Sequence, residues 1–430
     1  MTFNIYKHNA YYSFEELPKD SLYNIADLFV ISNLGQLKHI TGFIKNKGIT
    51  NSLLLVVYTE ANLAVPQAIH DNYEVSIFNS VLFLKLPNNP NSLLLKNIKK
   101  MESDYKELIY KVNPSRLYLN SFQYHYAILA SIAKKLGSKV ILIEEGLGTY
   151  RLGVDEQDLN TGNLDFNLVK RLSKDTVSKT EIFKRTYKKY KLIKDFAIQS
   201  KRLIKKVYLS PELQSKLVGF YPNSSFDIFC KPFVDFDESY TSFPALTNQK
   251  FNLEKSNYYL SFEEPTKDES EYASLIIRKY DIKSKDYLYL SQKFSINRDE
   301  YLAIVKGCLL KLLEGNDSTV FIKLHPKQEH ELVLAGFIEM EKETGGRIKV
   351  IQESGFLIEE VVRVSKVQGV IGITSSALVY SPLLSPGCKS YSIADTLVSN
   401  LINHTRNTKG LDMIEAHTKI LKQFENIYFI

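Results

Sequence analysis

The stretch Lys139–Tyr150, KVILIEEGLGTY, decides how the chain is read. Val140 to Ile143 is a short apolar run of the kind that forms a buried strand. It leads directly into two adjacent carboxylates, Glu144 and Glu145. Gly146 and Gly148 follow, and there the backbone can turn sharply. Open α/β sheets place ligands beyond the carboxyl ends of their strands. A general base needs that setting, rigidly held and partly dehydrated beside a crevice. Two surface glutamates in a solvated turn would be spelled the same way, so the reading depends on what surrounds them.

Upstream, Leu28–Ser32, Ser52–Tyr58, Val81–Leu86 and Arg116–Leu119 read as strands, with helical periodicity over 93–112 and over Phe122–Leu136. Asn33 to Gln36 reads as the loop that ends the first strand, with helix from Leu37 onward. Downstream, Tyr258–Ser261, Asp286–Ser291, Thr319–Leu324, Ile348–Ile351 and Val367–Ile373 read as strands. Arg298–Leu313, Gln328–Thr344, Phe356–Val364, Ala377–Leu384 and Leu411–Phe424 read as helices. This alternation predicts parallel sheets with helices on both faces. A chain of 430 residues is too long for one core of ordinary size. The expectation is an α/β chain of two Rossmann-like domains, 1–250 and 251–430. The stretch FVDFDESYTSFPALTNQ reads as the linker between them.

The composition, 44% hydrophobic and 24% charged, excludes a disordered chain. Cys230, Cys308 and Cys388 are widely spaced and form no CxxC pair, so neither a disulfide framework nor a thiolate zinc site is expected. No apolar run approaches the roughly 20 residues of a membrane helix. The opening residues lack the apolar core of a signal peptide, so a cytoplasmic protein is expected. The net charge is +7, and it is unevenly spread. Between Lys170 and Lys206 stand fourteen Lys or Arg against three acids, more than solubility requires. Apolar residues interleave with them, giving a basic, amphipathic helical insert at about 160–215. Such an insert suits a polyanion or an anionic membrane surface.

Two further stretches carry chemistry. In FIKLHPKQEH, a strand delivers His325-Pro326; the proline ends the ladder and leaves the histidine at the strand's carboxyl end. Lys323 and Lys327 flank it, as would suit a phosphate-bearing ligand; a surface histidine in a basic turn would be spelled the same way. In GVIGITSSALVYSPL, Thr374-Ser375-Ser376 sits between strand and helix, where hydroxyls and free N–H groups make an anion site. The same letters also serve as a plain helix cap. Glu359 and Glu360 open the preceding helix, and either can accept hydrogen bonds from a ribose or simply favour the helix start. Gln292, in the loop after Asp286–Ser291, is a further candidate for the ribose or base. No GxxxxGK[ST] or GxGxxG occurs, and the one DxD, Asp235-Phe236-Asp237, lies in the expected linker.

An acidic pair plus Gly (Glu144-Glu145-Gly146), a His-Pro (His325-Pro326) and a paired serine (Ser375-Ser376), in that order and strand context, resemble the bacterial sialyltransferases of the two-domain GT-B fold. EEGLGTY, the chain length and the basic insert most resemble the capsule polysialyltransferases. The resemblance implies two Rossmann-like domains facing a central cleft, with the acceptor side first and the donor side second. It implies inverting, metal-independent transfer from CMP-sialic acid, with no cofactor, onto a polyanionic or sialylated glycan. By position, Glu144 would be the base, Glu145 and Gly146 the supporting loop, and His325 the group acting on the CMP phosphate. The sequence does not decide which glutamate of either pair acts. Ser375, Ser376, Lys323 and Lys327 would hold the phosphate, and Glu359, Glu360 or Gln292 the nucleoside. Lys188, Lys189, Lys201 and Arg202 would line a track for the growing polymer. Further expected partners are an anionic inner-membrane surface, bound peripherally, and capsule-assembly proteins; nucleic acid is not expected. The runner-up is transfer of a single sialic acid, or of another CMP-activated nonulosonic acid or Kdo, to a lipid-linked glycan. A non-catalytic polyanion or membrane binder would leave the ordered motifs unexplained.

Overall fold

The computed structural model describes residues 7–17, 25–88, 90, 95–122, 125–151, 236–251, 253–260, 265, 267–325, 332–353, 356–402 and 409–430. The chain divides into two compact units, Met1–Ser261 and Phe262–Ile430.

The first unit holds strands β1 (Ala10–Tyr11), β2 (Asp27–Ile31), β3 (Ser52–Tyr58), β4 (Ser80–Lys85), β5 (Arg116–Leu119), β6 (Lys139–Ile143), β7 (Glu238–Thr241) and β8 (Lys255–Tyr258). They form one sheet in the order β1-β4-β3-β2-β5-β6-β7-β8, every pair parallel. Alternate residues leave a strand on opposite faces. Leu28 and Val30 therefore join one core, with the helices Leu95–Val112 and His125–Lys135, while Phe29 and Ile31 join the other, with the helix Leu34–Lys47. Burial on both faces explains why these strands read as continuous apolar runs.

The second unit holds β9 (Tyr287–Leu290), β10 (Val320–Lys323), β11 (Ile348–Ile351), β12 (Gly369–Gly372), β13 (Lys389–Ser392) and β14 (Ile427–Phe429). Its sheet runs β11-β10-β9-β12-β13-β14, again parallel throughout. In both sheets the chain first winds to one side and then to the other. The direction reverses between β2 and β5 in the first sheet, and between β9 and β12 in the second. Such a reversal leaves a crevice beyond the strand ends.

Two expectations are corrected. The stretch read as a linker is β7 followed by the helix Pro244–Phe251, and with β8 it completes the first sheet. The division consequently falls at 261/262 rather than at 250/251. Polar letters hid β7: only Ser239 and Thr241 face inward, as small polar residues beside β6. Asp237, part of the DxD, accepts a hydrogen bond from the Val140 N–H at 2.7 Å and pairs with Lys134 at 2.9 Å, so it secures this edge. The residues read as the loop Asn33–Gln36 are instead the first turn of the helix Leu34–Lys47. Asn33 caps it by accepting from the Gln36 N–H at 2.9 Å.

β12 is squeezed between its neighbours. A Cβ added at Gly369 would lie 2.9 Å from the Lys389 carbonyl oxygen and about as near the Tyr391 and Tyr287 rings. Gly369→Ala is expected to destabilise the second unit by about 1–3 kcal/mol. Denaturant unfolding measures this, and an unchanged midpoint would contradict the packing described.

Candidate active site

Ser32 and Gln36 after β2, Thr59 after β3, Ser121 after β5 and Glu145 after β6 line one cavity of about 350 Å3, joined by His125, Tyr126 and Arg151. The cavity lies beyond the β2/β5 reversal of the first sheet.

The two acids of the Glu-Glu-Gly stretch face different surroundings. Glu144 is 1% exposed. Its Oε2 accepts from the Ser242 N–H at 2.6 Å, and the Tyr150 hydroxyl hydrogen-bonds the same carboxyl. Burial first, and the Glu144 charge second, push the Tyr150 pKa up. Asn120 Nδ2 donates to the carbonyls of Ile143 and Glu144 at 3.2 and 3.4 Å, and the buried His39 imidazole also hydrogen-bonds the Glu144 backbone. Glu144 thus ties the end of β6 to the chain after β7. Gly146 follows with φ 122° and ψ −153°, a conformation essentially restricted to glycine.

Glu145 lines the cavity. Its Oε1 accepts from Gln36 Nε2 at 2.7 Å and from Asn33 Nδ2 at 3.3 Å. Gln36 is itself 2% exposed, and its own Oε1 accepts from the Ser32 N–H at 2.6 Å. Burial raises the Glu145 pKa above the ordinary carboxylate value; the hydrogen bonds from Gln36 and Asn33 and the Arg151 charge only partly oppose it. The arrangement departs from the positional assignment, which put the base at Glu144 and the support at Glu145. The carboxylate beside open space, held at one oxygen by two amides, is Glu145.

In the second unit, β10, β9 and β12 run in register with Lys323 beside Leu290 and Leu290 beside Gly372. Two residues further along each chain stand His325, Gln292 and Thr374, which brings three of the sequence's candidate stretches to one level of the sheet. Gln292 Oε1 accepts from the backbone N–H of Thr374 at 2.6 Å and of Ile373 at 3.2 Å. Its side chain shapes the serine loop. Ser375 Oγ accepts from the Ala377 N–H at 3.3 Å, while Ser376 stands at the start of the helix Ala377–Leu384 with no capping bond from its side chain. Lys323 Nζ lies 5.0 Å from the centre of the Phe356 ring. Of the acids opening the helix Ile358–Ser365, Glu360 is buried, 3.4 Å from Arg363, and Glu359 is the more accessible. Pro326, Lys327, Lys188, Lys189, Lys201 and Arg202 lie outside the described residues. No helix among the described residues is long and apolar enough to cross a membrane.

Sequence reasoning missed Asn33, Gln36, His125, Tyr126 and Arg151. A signal existed for the first two: Asn33-Leu-Gly-Gln36 has the spacing of a helix-capping box directly after a buried strand.

A family model that matches residues 27–394 takes in both sheet reversals and makes the chain a glycosyltransferase of the sialyltransferase kind. The family is that of the alpha-2,8-polysialyltransferases, and the chain belongs to it. No curated protein matches the chain. Among solved structures, it is similar to the UDP-GlcNAc 2-epimerase of Methanocaldococcus jannaschii, at 11% identity over 92% of this chain and 91% of that one, with TM-score 0.46. Medicago truncatula UGT71G1 complexed with UDP-glucose gives 11% over 94% and 94%, with TM-score 0.45. Acinetobacter baumannii MurG gives 10% over 94% and 85%, also with TM-score 0.45.

Two predictions follow from the surroundings of the site. Glu144→Leu leaves the Ser242 N–H and the Tyr150 hydroxyl without their acceptor, and should cost the first unit about 1–3 kcal/mol, whereas Glu145→Gln should cost much less. Equal losses in the two variants would refute the division of roles. The second concerns acid. Burial holds His39 and His125 neutral, with pKa values pushed down from 6.5 to about 4 and about 3. The unfolded chain therefore binds more protons than the folded one between those values and 6.5. Stability should fall as pH drops below about 6.5, and the loss should be complete only below about 3. Glu145, with its raised pKa, acts in the opposite sense: its contribution is present below the ordinary carboxylate range and is lost as pH rises through its folded value. Denaturant midpoints from about pH 8 to about pH 4 test the histidine effect, and a flat profile would contradict it.

Proposed function

We propose that the chain extends a sialylated glycan by α-2,8 transfer from CMP-sialic acid, with inversion and without a metal ion. The observation that carries this reading is Glu145, a carboxylate of raised pKa lining a cavity at the sheet reversal and oriented through one oxygen. A base in such a site is poised nearer to working pH than an exposed glutamate.

In the reaction, an acceptor hydroxyl seated in the cavity attacks the anomeric carbon of the donor sugar and gives its proton to Glu145. The bond from that carbon to the phosphate oxygen breaks, and CMP leaves with the electron pair. Its single phosphate is met by His325, by Ser375 and Ser376 with the backbone donors of their loop, and by Lys323 and Lys327. One phosphate carries little enough charge for protein donors to replace a divalent metal. Gln292 keeps the serine loop in shape, and Glu359 rather than Glu360 accepts from the ribose. The transition state resembles that of glycoside hydrolysis, with charge developing on the sugar ring. Lys188, Lys189, Lys201 and Arg202, within the stretch of fourteen cations, hold the polyanionic product. The same charge suits a cytoplasmic protein resting on an anionic membrane beside other components that assemble a capsule-type polymer.

Glu145→Gln should lower kcat by at least about 100-fold while CMP binding persists, because a general base contributes that much. In the unaltered protein the acid limb of kcat/KM should lie above the ordinary carboxylate range, since the base must be ionised to act. Near-normal turnover of Glu145→Gln would remove the base from this position. Turnover should also survive EDTA, and its abolition by the chelator with rescue by magnesium would overturn the donor-site assignment. Reversal of Lys188, Lys189, Lys201 and Arg202 to Glu should shorten the polymer and flatten its dependence on salt, because counterion release scales with the number of contacts. Unchanged product length, with loss of binding to anionic vesicles, would make the stretch a membrane contact alone.

A further inference from the structure

Among its described lining residues the cavity has one arginine, Arg151. Arg151 directly follows the 3-10 turn Leu147–Tyr150. That turn is pinned at its end, because the Tyr150 hydroxyl hydrogen-bonds the Glu144 carboxyl and accepts from the Phe243 N–H at 3.2 Å. The guanidinium carbon then lies 4.9 Å from the centre of the buried Phe122 ring, which limits the planes the group can adopt. The other nitrogen base lining the cavity, His125, is kept neutral by burial, with its Nδ1 2.8 Å from the Tyr105 hydroxyl. Arg151 therefore supplies the permanent positive charge of the described cavity lining, in the form best suited to a planar anion. A guanidinium binds a carboxylate through two parallel N–H bonds, which fixes orientation as well as position.

We infer that Arg151 anchors the carboxylate of the acceptor's terminal sialic acid and so selects a sialylated acceptor over a neutral one. The inference rests on the reading of Glu145 as base and of this cavity as the acceptor site. A sialic acid presents its carboxylate and its hydroxylated side chain from the same ring. With the carboxylate held on Arg151, a hydroxyl of the same residue is delivered towards Glu145, on the opposite side of the Gly146 turn from Arg151 in sequence. Each transfer places a new sialic acid at the chain end, so one anchor serves every cycle of extension. Arg151 is thus a binding residue that decides which glycan is extended.

The test compares two acceptors of equal length: an oligosialoside, and the same compound with its terminal carboxylate converted to a primary amide. With the unaltered protein, kcat/KM should fall about 10- to 100-fold for the amide, the usual weight of a charge-assisted hydrogen-bonded pair. The fall should appear mainly in the acceptor KM. Arg151→Gln should show a similar fall with the natural acceptor and little remaining difference between the two compounds. Arg151→Lys, which keeps the charge but loses the fork, should lie between. Equal use of both acceptors by the unaltered protein would overturn the anchor while leaving the base intact, and needs no variant to fold. An Arg151→Gln variant that slows both acceptors equally and moves the acid limb would show that Arg151 only tunes Glu145, and would also overturn it. A raised KM for CMP-sialic acid would move the anchor to the donor's carboxylate. Transfer undiminished in Glu145→Gln would instead defeat the reading beneath it.

Discussion

The buried carboxyl of Glu144 is the tie on which the first unit's site depends. It accepts from the Ser242 N–H and from the Tyr150 hydroxyl, and so fastens the end of β6 both to the segment after β7 and to the turn that follows. With Glu144 directed inward, Gly146 can turn through a conformation closed to other residues, and Glu145 is left at the cavity wall. The adjacent acids divide the work. One is spent on the Ser242 N–H and the Tyr150 hydroxyl and holds the loop, and the other lines the cavity, held at its Oε1 by two amides. Burial without a counter-charge at hydrogen-bonding distance would make Glu145 hard to ionise. The two amides of Gln36 and Asn33 and the Arg151 charge offset part of that cost.

The two units solve one geometric problem in the same way. In each parallel sheet the reversal of winding opens a crevice, and in each a glutamine from the loop or helix after the strand at the reversal, β2 or β9, reaches across it. Gln36 reaches from beyond β2 to Glu145 on the β6 loop, and Gln292 reaches from beyond β9 to the Thr374 N–H on the β12 loop. A neutral amide suits this task, because it donates and accepts at once and adds no charge beside the Glu145 carboxyl or the serine loop. The family assignment and the site geometry meet here: a chain of the alpha-2,8-polysialyltransferase family carries an organised carboxylate in its first unit and an organised hydroxyl loop in its second.

Much of this was legible in the letters, for physical reasons. The central strands of both parallel sheets, β2 to β6 and β9 to β12, announce themselves because burial on two faces demands unbroken apolar runs, as in Ser52–Tyr58 and Lys139–Ile143. The outer strands did not: β7 is ESYT and β13 is KSYS, polar strands recognisable only from their neighbours, and β8, KSNY, meets the strand read at Tyr258–Ser261 only at Tyr258 and belongs to the first sheet, not the second. The acidic pair was found as a pair, but the choice between its members depends on which side chain faces the Ser242 N–H, a residue 98 positions away. Arg151 escaped notice for a similar reason, and the capping-box spacing of Gln36 does not tell its partner: the contact of Gln36 with Glu145 depends on β2 and β6 flanking β5, and the place of Arg151 on the anchored Tyr150 hydroxyl.

That separation of 98 residues also sets an order of assembly during synthesis. β6 emerges early, yet its outer edge stays open and the Glu144 carboxyl lacks its backbone donor until Ser242 has left the ribosome. The strands from β2 to β6 can pair first, since each lies close in sequence to a neighbour in the sheet. The last strands must then close over a long intervening segment, a step whose entropic cost grows only slowly with its length. A nascent chain halted before Ser242 would present an unfinished parallel edge beside an acid lacking its backbone donor, the kind of surface that chaperones guard.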